Sequence, residues 1–245
     1  MQRTGTTTRS ILRSAVGRVL VLAACAAVMA WQPAIAAGAL SSAKVADLRG
    51  ETASAAVRHI ADWAVHSGDP GGRPFVVVDK VESRVFVFDA QGRLRGASPA
   101  LVGAARGDET VPGIGSRPIA SIRPEERTTP AGRFEAVMGK GPKGEDVLWV
   151  DYDSALALHR VVTSVPQERR LQRLQSQEPA ERRITYGCIN VPVAFYESVV
   201  RTTFQGTGGT VYILPESRPA QTLFGSYEVR EASLHGAAPS LPLAH

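Results

Sequence analysis

The sequence predicts a mainly β domain with a few helices, preceded by a short helical segment. Three observations predict it. Two β-branched and aromatic runs, Phe75-Val76-Val77-Val78-Asp79 and Arg84-Val85-Phe86-Val87-Phe88-Asp89, flank a polar turn at Glu82-Ser83 and read as a hairpin. Strand signals return at 133–138, 147–152 and 155–159. A helix start stands late in the chain, at 192–204, with Pro192 in its first turn.

Taken in order, the chain opens on a leader. Arg3, Arg9, Arg13 and Arg18 precede the apolar stretch 19–31, and Ala34-Ile35-Ala36 supplies small residues for cleavage. Residues 1–36 are therefore expected to be a signal peptide, and the mature chain to begin near Ala37. An apolar run this short is poorly suited to span a bilayer, so no stable membrane span is expected after cleavage. Two other routes stay open: an uncleaved anchor, and lipid attachment at Cys25, because Leu22-Ala23-Ala24-Cys25 has the shape of a lipobox. Arg18 leaves that second route a cramped apolar region.

Removing the leader changes what the charge means. The chain has 28 Lys and Arg against 23 Asp and Glu; four of the 28 lie in the leader, so the mature balance is 24 against 23, or +1. The basicity belongs to targeting and gives no support for nucleic-acid binding. About 210 residues remain, enough for one domain with its own core.

Residues 37–72 read as a helical segment and joint. Val45, Leu48, Ala55, Ala56, Ile60 and Trp63 form a rough helical stripe over 41–66, interrupted by Gly50, and Gly68-Asp69-Pro70-Gly71-Gly72 ends it. The main domain is expected over 73–216. Its third strand runs near 94–102, and residues 103–128, rich in Gly, Pro and Arg, read as a long surface loop. A strand at 210–214 closes the domain, and residues 217–245, rich in Pro, Ser and Ala, read as a loosely held tail.

Cys188 carries the chemistry. It lies in Ile184-Thr185-Tyr186-Gly187-Cys188-Ile189-Asn190-Val191-Pro192 and is the one cysteine left once the leader is removed. Exported proteins pair their cysteines in disulfides, so an unpaired thiol next to glycine points to a nucleophile. The bland alternative is a small buried hydrophobe. A thiol needs a neighbour to take its proton at neutral pH, and an imidazole can take it and return it to a leaving group. His159 closes the strand signal at 155–159 and is the best placed of the five histidines: His59 and His66 fall in the leading helix, His235 and His245 in the tail. Gly187 allows close backbone approach, and the N–H groups of 186–188 suit an oxyanion hole.

Three features in order resemble the L,D-transpeptidase catalytic domain of the YkuD type, which cross-links or edits bacterial peptidoglycan. They are the opening hairpin (VVVDKVESRVFVFD), the segment Thr129-Pro130-Ala131-Gly132-Arg133-Phe134, and His159 followed by Thr185-Tyr186-Gly187-Cys188-Ile189-Asn190. The likeness covers roughly 73–215. It implies a β-sandwich catalytic domain, Cys188 as nucleophile, His159 as acid and base, and the backbone carbonyl of Arg160 orienting the ring. Asn190 and Thr185 are expected near the substrate, Asn190 equally as a turn residue. The expected partners are peptidoglycan stem peptides in the periplasm or cell envelope. No metal or organic cofactor is implied, since no ligand-spaced cluster or phosphate loop stands out.

Two departures mark the chain. Tyr186 stands where the signature has histidine, which leaves the base role to His159. The segment from His159 to Thr185 is also long and basic, with a helix start at Ser164-Val165-Pro166-Gln167 and arginines at 169, 170, 173, 182 and 183. It reads either as a solvated charged helix or as a short helix over the cleft in which one or two of Arg169, Arg170 and Arg173 hold a substrate carboxylate. The expected activity is L,D-transpeptidation through a thioester. Hydrolysis of the same substrates and a decayed wall-binding protein are the alternatives.

Overall fold

The computed structural model describes residues 44–229. The expected signal peptide with Cys25 and the expected cleavage site lie outside the described residues, as do residues 37–43 and 230–245. The strands are β1 (Phe75–Asp79), β2 (Arg84–Phe88), β3 (Leu94–Pro99), β4 (Val102–Gly103), β5 (Gly132–Lys140), β6 (Asp146–Asp151), β7 (Leu156–Arg160), β8 (Arg183–Thr185), β9 (Ile189–Val191) and β10 (Gly209–Ile213). The α-helices are α1 (Ala55–Ser67), α2 (Arg170–Gln175), α3 (Val193–Phe195), α4 (Thr202–Phe204) and α5 (Ala220–Phe224). A π-helical stretch, Tyr196–Arg201, joins α3 to α4.

Eight strands pair in the order β3-β2-β1-β10-β5-β6-β7-β9, and β4 pairs with β8. Strand β5 serves both halves: residues 132–136 pair with β10, and residues 137–140 with β6. The sheet therefore folds over along β5, and its two halves face each other across one apolar core. Val76, Val78, Val85 and Val87 from one half share that core with Leu148, Leu158, Ile189 and Val191 from the other. Tyr196, Val200 and Phe204 of the 193–204 helix fill the same cluster. The architecture is mainly β, a sandwich with a short helix before it.

The two-residue strand period gives each face its own task. Phe75, Val77, Phe86 and Phe88, the alternate set on β1 and β2, turn away from the sandwich core and pack on Val57, Ile60, Trp63 and Ala64 of α1. Both faces are apolar, which is why β1 reads as a continuous run. On β7 and β9 the same alternation buries Leu158, Ile189 and Val191 in the sandwich and leaves Ala157, His159 and Asn190 on the opposite face.

Three expectations need correction. The helix expected over 41–66 is only Ala55–Ser67, because Arg49 and Gly50 take positive φ (51° and 81°) and Ser54 caps the helix, accepting from the Val57 N–H at 3.2 Å. The third strand stops at Pro99, and Val102–Gly103 pairs instead with β8. The described part of the tail, 217–229, is docked: α5 forms there, Tyr227 bonds His66 at 2.8 Å, and Val229 is buried.

The ends of these elements are gathered by a buried ionic cluster. The Lys80 Nζ donates to the Asp108 carboxylate at 2.8 Å and to the carbonyls of Gly107 (2.6 Å) and Thr129 (3.0 Å). Asp108 also accepts from the Glu216 and Ser217 amides at 2.8 and 2.9 Å, and Glu216 pairs with Arg183. Burial alone would raise the Asp108 carboxyl, but hydrogen bonds from Lys80 and Ser217 hold it well below the usual carboxylate range. Removing one partner of a buried pair leaves an uncompensated charge. Lys80→Met should therefore cost about 3–5 kcal/mol, seen as a lower urea midpoint at unchanged m-value; an unmoved midpoint would show that the cluster adds nothing to stability.

Candidate active site

Parallel pairing of β7 with β9 sets His159 beside Asn190. Cys188 precedes β9 by one residue, at the end of the turn 186–188, and both Cys188 and His159 line one cavity of about 370 Å³. The two groups hydrogen-bond elsewhere in the resting site. The Cys188 thiol donates to the Ala155 carbonyl at 3.5 Å, and Ala155 holds a left-handed φ of 51°. His159 Nδ1 meets the Arg160 carbonyl at 2.7 Å, and Nε2 meets the Asn190 amide nitrogen at 3.1 Å.

The electrostatics follow from burial. Desolvation pushes the Cys188 thiol up, against a backbone hydrogen bond from Ala157 and the positive charge of Arg170, both of which favour thiolate. Desolvation also lowers His159, opposed by the Arg160 carbonyl and reinforced by Arg170. Both shifts favour neutral groups, so the resting pair is thiol and imidazole. Arg160 itself is well anchored. Its guanidinium donates to the Asp146 carbonyl at 2.8 Å, pairs with Asp146 and Glu197, and lies 4.2 Å over the Tyr196 ring.

The turn carrying the thiol is braced from two sides. Gly187 has φ 136°, and a Cβ there would sit 2.8 Å from the Thr128 carbonyl oxygen, so only glycine fits without displacement. Thr129 is buried; its hydroxyl donates to the Gly187 carbonyl at 2.7 Å and accepts from the Gly103 amide at 2.8 Å. Thr185 is buried too, donating to the Cys188 carbonyl at 2.7 Å and accepting from the Gly187 N–H at 3.1 Å. The Gly187 N–H is thereby engaged, which leaves the amides of Tyr186 and Cys188 as oxyanion candidates.

The cavity walls come from the long loop and the β5–β6 turn. Ile114, Ile119, Ile122, Val147, Trp149 and Leu156 give it an apolar lining, with Arg117, Lys143 and Glu145 supplying charge. The loop is held by Glu126, which accepts from both Arg117 (3.0 and 3.1 Å) and Arg123 (3.0 Å). Tyr186 also lines the cavity, with the Arg127 guanidinium 4.2 Å above its ring.

The arginines of the insertion have separate placements. Arg169, Arg170 and Arg173 are not among the cavity-lining residues. Arg169 is exposed, and Arg173 donates to the Glu168 and Glu181 carbonyls at 2.8 and 2.6 Å within the insertion itself. Arg170 reaches inward, donating to Asn190 Oδ1 at 2.8 Å. Arg182 is buried on the Ser176 and Glu82 carbonyls. Asn190 and Thr185 therefore shape the site rather than face the cavity. Lys80, Thr129 and Glu126 escaped the sequence reading as site-forming residues. Glu126 had one legible signal, a lone run of acids between Arg123 and Arg127.

No family model matches the chain, and no curated protein sequence matches it. Solved structures do. An L,D-transpeptidase from Xylanimonas cellulosilytica DSM 15894 is 16% identical, with a TM-score of 0.38, over 58% of this chain and 60% of that one. The chain resembles L,D-transpeptidase catalytic domains. The catalytic domain of the E. faecium L,D-transpeptidase is 13% identical, TM-score 0.32, over 58% of this chain and 98% of that one. An L,D-transpeptidase solved in complex with imipenem is 16% identical, TM-score 0.32, over 58% of each chain. The matched part thus spans about three-fifths of the first of these proteins.

Two outcomes follow from the geometry. Thr129→Val removes the partner of the Gly187 carbonyl and of the Gly103 N–H; it should cost about 1–3 kcal/mol, whereas Thr129→Ser should cost little, as compared by thermal unfolding. Glu126 is held down to about 2, from an ordinary 4.5, by Arg117 and Arg123. A depressed carboxyl contributes stability above its unfolded pKa and loses it as pH falls through the folded one. Amide protection at 114–127 should therefore fall between pH 4.5 and about 2, ahead of β1 and β10, whose amides pair within the sheet.

Proposed function

We propose that this chain is an exported cysteine acyltransferase of the L,D-transpeptidase kind, acting on peptidoglycan stem peptides in the cell envelope. The observation that carries the reading is the shared cavity: a thiol and an imidazole open on it, and the imidazole is held through Nδ1 by the carbonyl of the next residue. That hydrogen bond leaves Nε2 as the nitrogen without a proton, the form a general base needs.

The steps are those of thioester exchange. Cys188 loses its proton to His159 Nε2 as sulfur attacks the carbonyl between the L-centre of a diamino acid and the following D-amino acid. The oxyanion is met by backbone amides of the 186–188 turn. Collapse breaks the C–N bond, and the leaving amine takes the proton from His159. An acceptor amine then attacks the thioester, gives its proton to His159, and the thiol is restored. Water in place of the amine yields hydrolysis. Stem peptides as substrate rest on the motif resemblance.

Intact-mass analysis after incubation with purified muropeptides or a carbapenem tests the reading. An adduct on Cys188 is expected, and the released products separate transfer from hydrolysis. Cys188→Ser should fold yet lose nearly all turnover, because an alkoxide forms far less readily than a thiolate. His159→Ala should slow acylation by about 10²–10⁴-fold, and Tyr186→Phe by much less. Wild-type protein that never forms an adduct would make the chain a binder and not an enzyme.

A further inference from the structure

The hydrogen bonds around His159 run in one direction. Arg170, on α2 of the insertion, donates from Nη1 to Asn190 Oδ1 at 2.8 Å. Arginine carries only donors, so Oδ1 is fixed as acceptor and Nδ2 of the same amide as donor. Nδ2 lies 3.1 Å from His159 Nε2, which is then the nitrogen without hydrogen. The Arg160 carbonyl at Nδ1 is an acceptor only, so Nδ1 carries the proton.

Asn190 alone does not dictate this arrangement. Turned over, its amide would offer oxygen to Nε2, and the two acceptors flanking the ring would then suit a doubly protonated imidazolium. Arg170 excludes the turned amide by claiming Oδ1. The guanidinium is itself held by Glu168, and Asn190 is 1% exposed, so solvent does not compete for the amide. The insertion, which lines none of the cavity through its arginines, therefore acts on the site through one side chain.

We propose that Arg170 is a positioning residue: by fixing the Asn190 amide it holds His159 as the neutral, Nδ1-protonated imidazole, whose one Nε2 lone pair takes the Cys188 proton when the thiol displaces the weak Asn190 N–H donor from it. The inference rests on the acyl-transfer reading of Cys188 and His159 for its catalytic meaning, but not for the tautomer itself. The charged and titratable groups around the ring come from every neighbouring segment. Arg170 and Arg160 disfavour a charged ring and Glu145 of the β5–β6 turn favours it. Lys143, Arg117, Tyr186 and Cys188 share the cavity. A positioning role thus predicts a change in the state of the ring as well as in rate.

The test reads the His159 ring by ¹⁵N NMR on the full chain, together with the pH profile of Cys188 acylation by a carbapenem. Wild type should show the Nδ1–H form at neutral pH. Arg170→Met should show mixed tautomers and a raised His159 titration midpoint. The acid limb of acylation should move to higher pH, with a rate about tenfold lower at neutral pH and carbapenem binding little changed. Arg170→Gln gives the same comparison with a polar side chain, and either variant decides if the other does not fold. A wild-type ring protonated on Nε2, or either folded variant keeping the wild-type tautomer and midpoint, overturns the proposal even where the rate falls. Because the ring is read without turnover, absence of a Cys188 adduct would sink the acyl-transfer reading and leave this result standing.

Discussion

The Lys80 ammonium has no exposed side-chain surface and sits between the Asp108 carboxylate and the carbonyls of Gly107 and Thr129, with Glu216 at 4.0 Å. An ammonium in that position is costly unless every donor is answered, and here each is. The contacts come from segments far apart in sequence: the end of β1, the start of the long loop, the Thr129 segment and the chain after β10. Satisfying one lysine therefore fixes where the loop leaves the sheet and where residues 216–217 return. Thr129 passes the constraint on, since its carbonyl faces Lys80 while its hydroxyl holds Gly187. The nucleophile turn is thus tied to the hairpin at the opposite end of the sequence by two hydrogen bonds.

The same low-dielectric surroundings set the resting state of Cys188 and His159. Burial opposes charge on sulfur and on the ring alike, so both groups rest neutral. Apo sites commonly hold such groups in looser contacts that tighten with substrate. Here the resting contacts are definite ones: the thiol on Ala155, the imidazole on Asn190. On the acyl-transfer reading, attack requires the thiol to leave Ala155 and the Asn190 N–H to leave Nε2, and the isoleucines lining the cavity would strengthen each charge interaction as water leaves.

The long, regular elements were legible because their periodicity was. β1 and β2 announce themselves through alternate sets that later prove to serve two cores, and Cys188 and His159 stand out by residue type and order. β8 and β9 are three residues each, too short for any pattern, and their pairing depends on partners about 80 and 30 residues away. The stripe from Val45 to Trp63 misleads because residues 44–54 are not helical and the helix begins only behind the Ser54 cap. The described tail reads as loose in sequence because what docks it is spread over distant partners, Tyr227 on His66 and Ser226 on His59, with Val229 buried, and none of these has a local signature. Arg170 was picked out with its neighbours as a clamp on substrate; only the fold shows that Arg173 serves the insertion while Arg170 serves Asn190.

Both departures from the resembled signature end at an arginine. Where the signature has histidine, Tyr186 lies under the Arg127 guanidinium at 4.2 Å; where the chain is lengthened, Arg170 reaches Asn190 at 2.8 Å. The geometries differ in what they permit. Stacking on a ring face leaves the phenol free to rotate its hydroxyl and puts no constraint on a proton, whereas donation to an amide oxygen fixes the far end of that amide. A guanidinium stays protonated throughout, so neither arginine is a base. Each can only bias a neighbour. With a phenol in place of the signature histidine, the acyl-transfer reading leaves the thiol proton to His159, whose neutral form is favoured first by burial and then by Arg170.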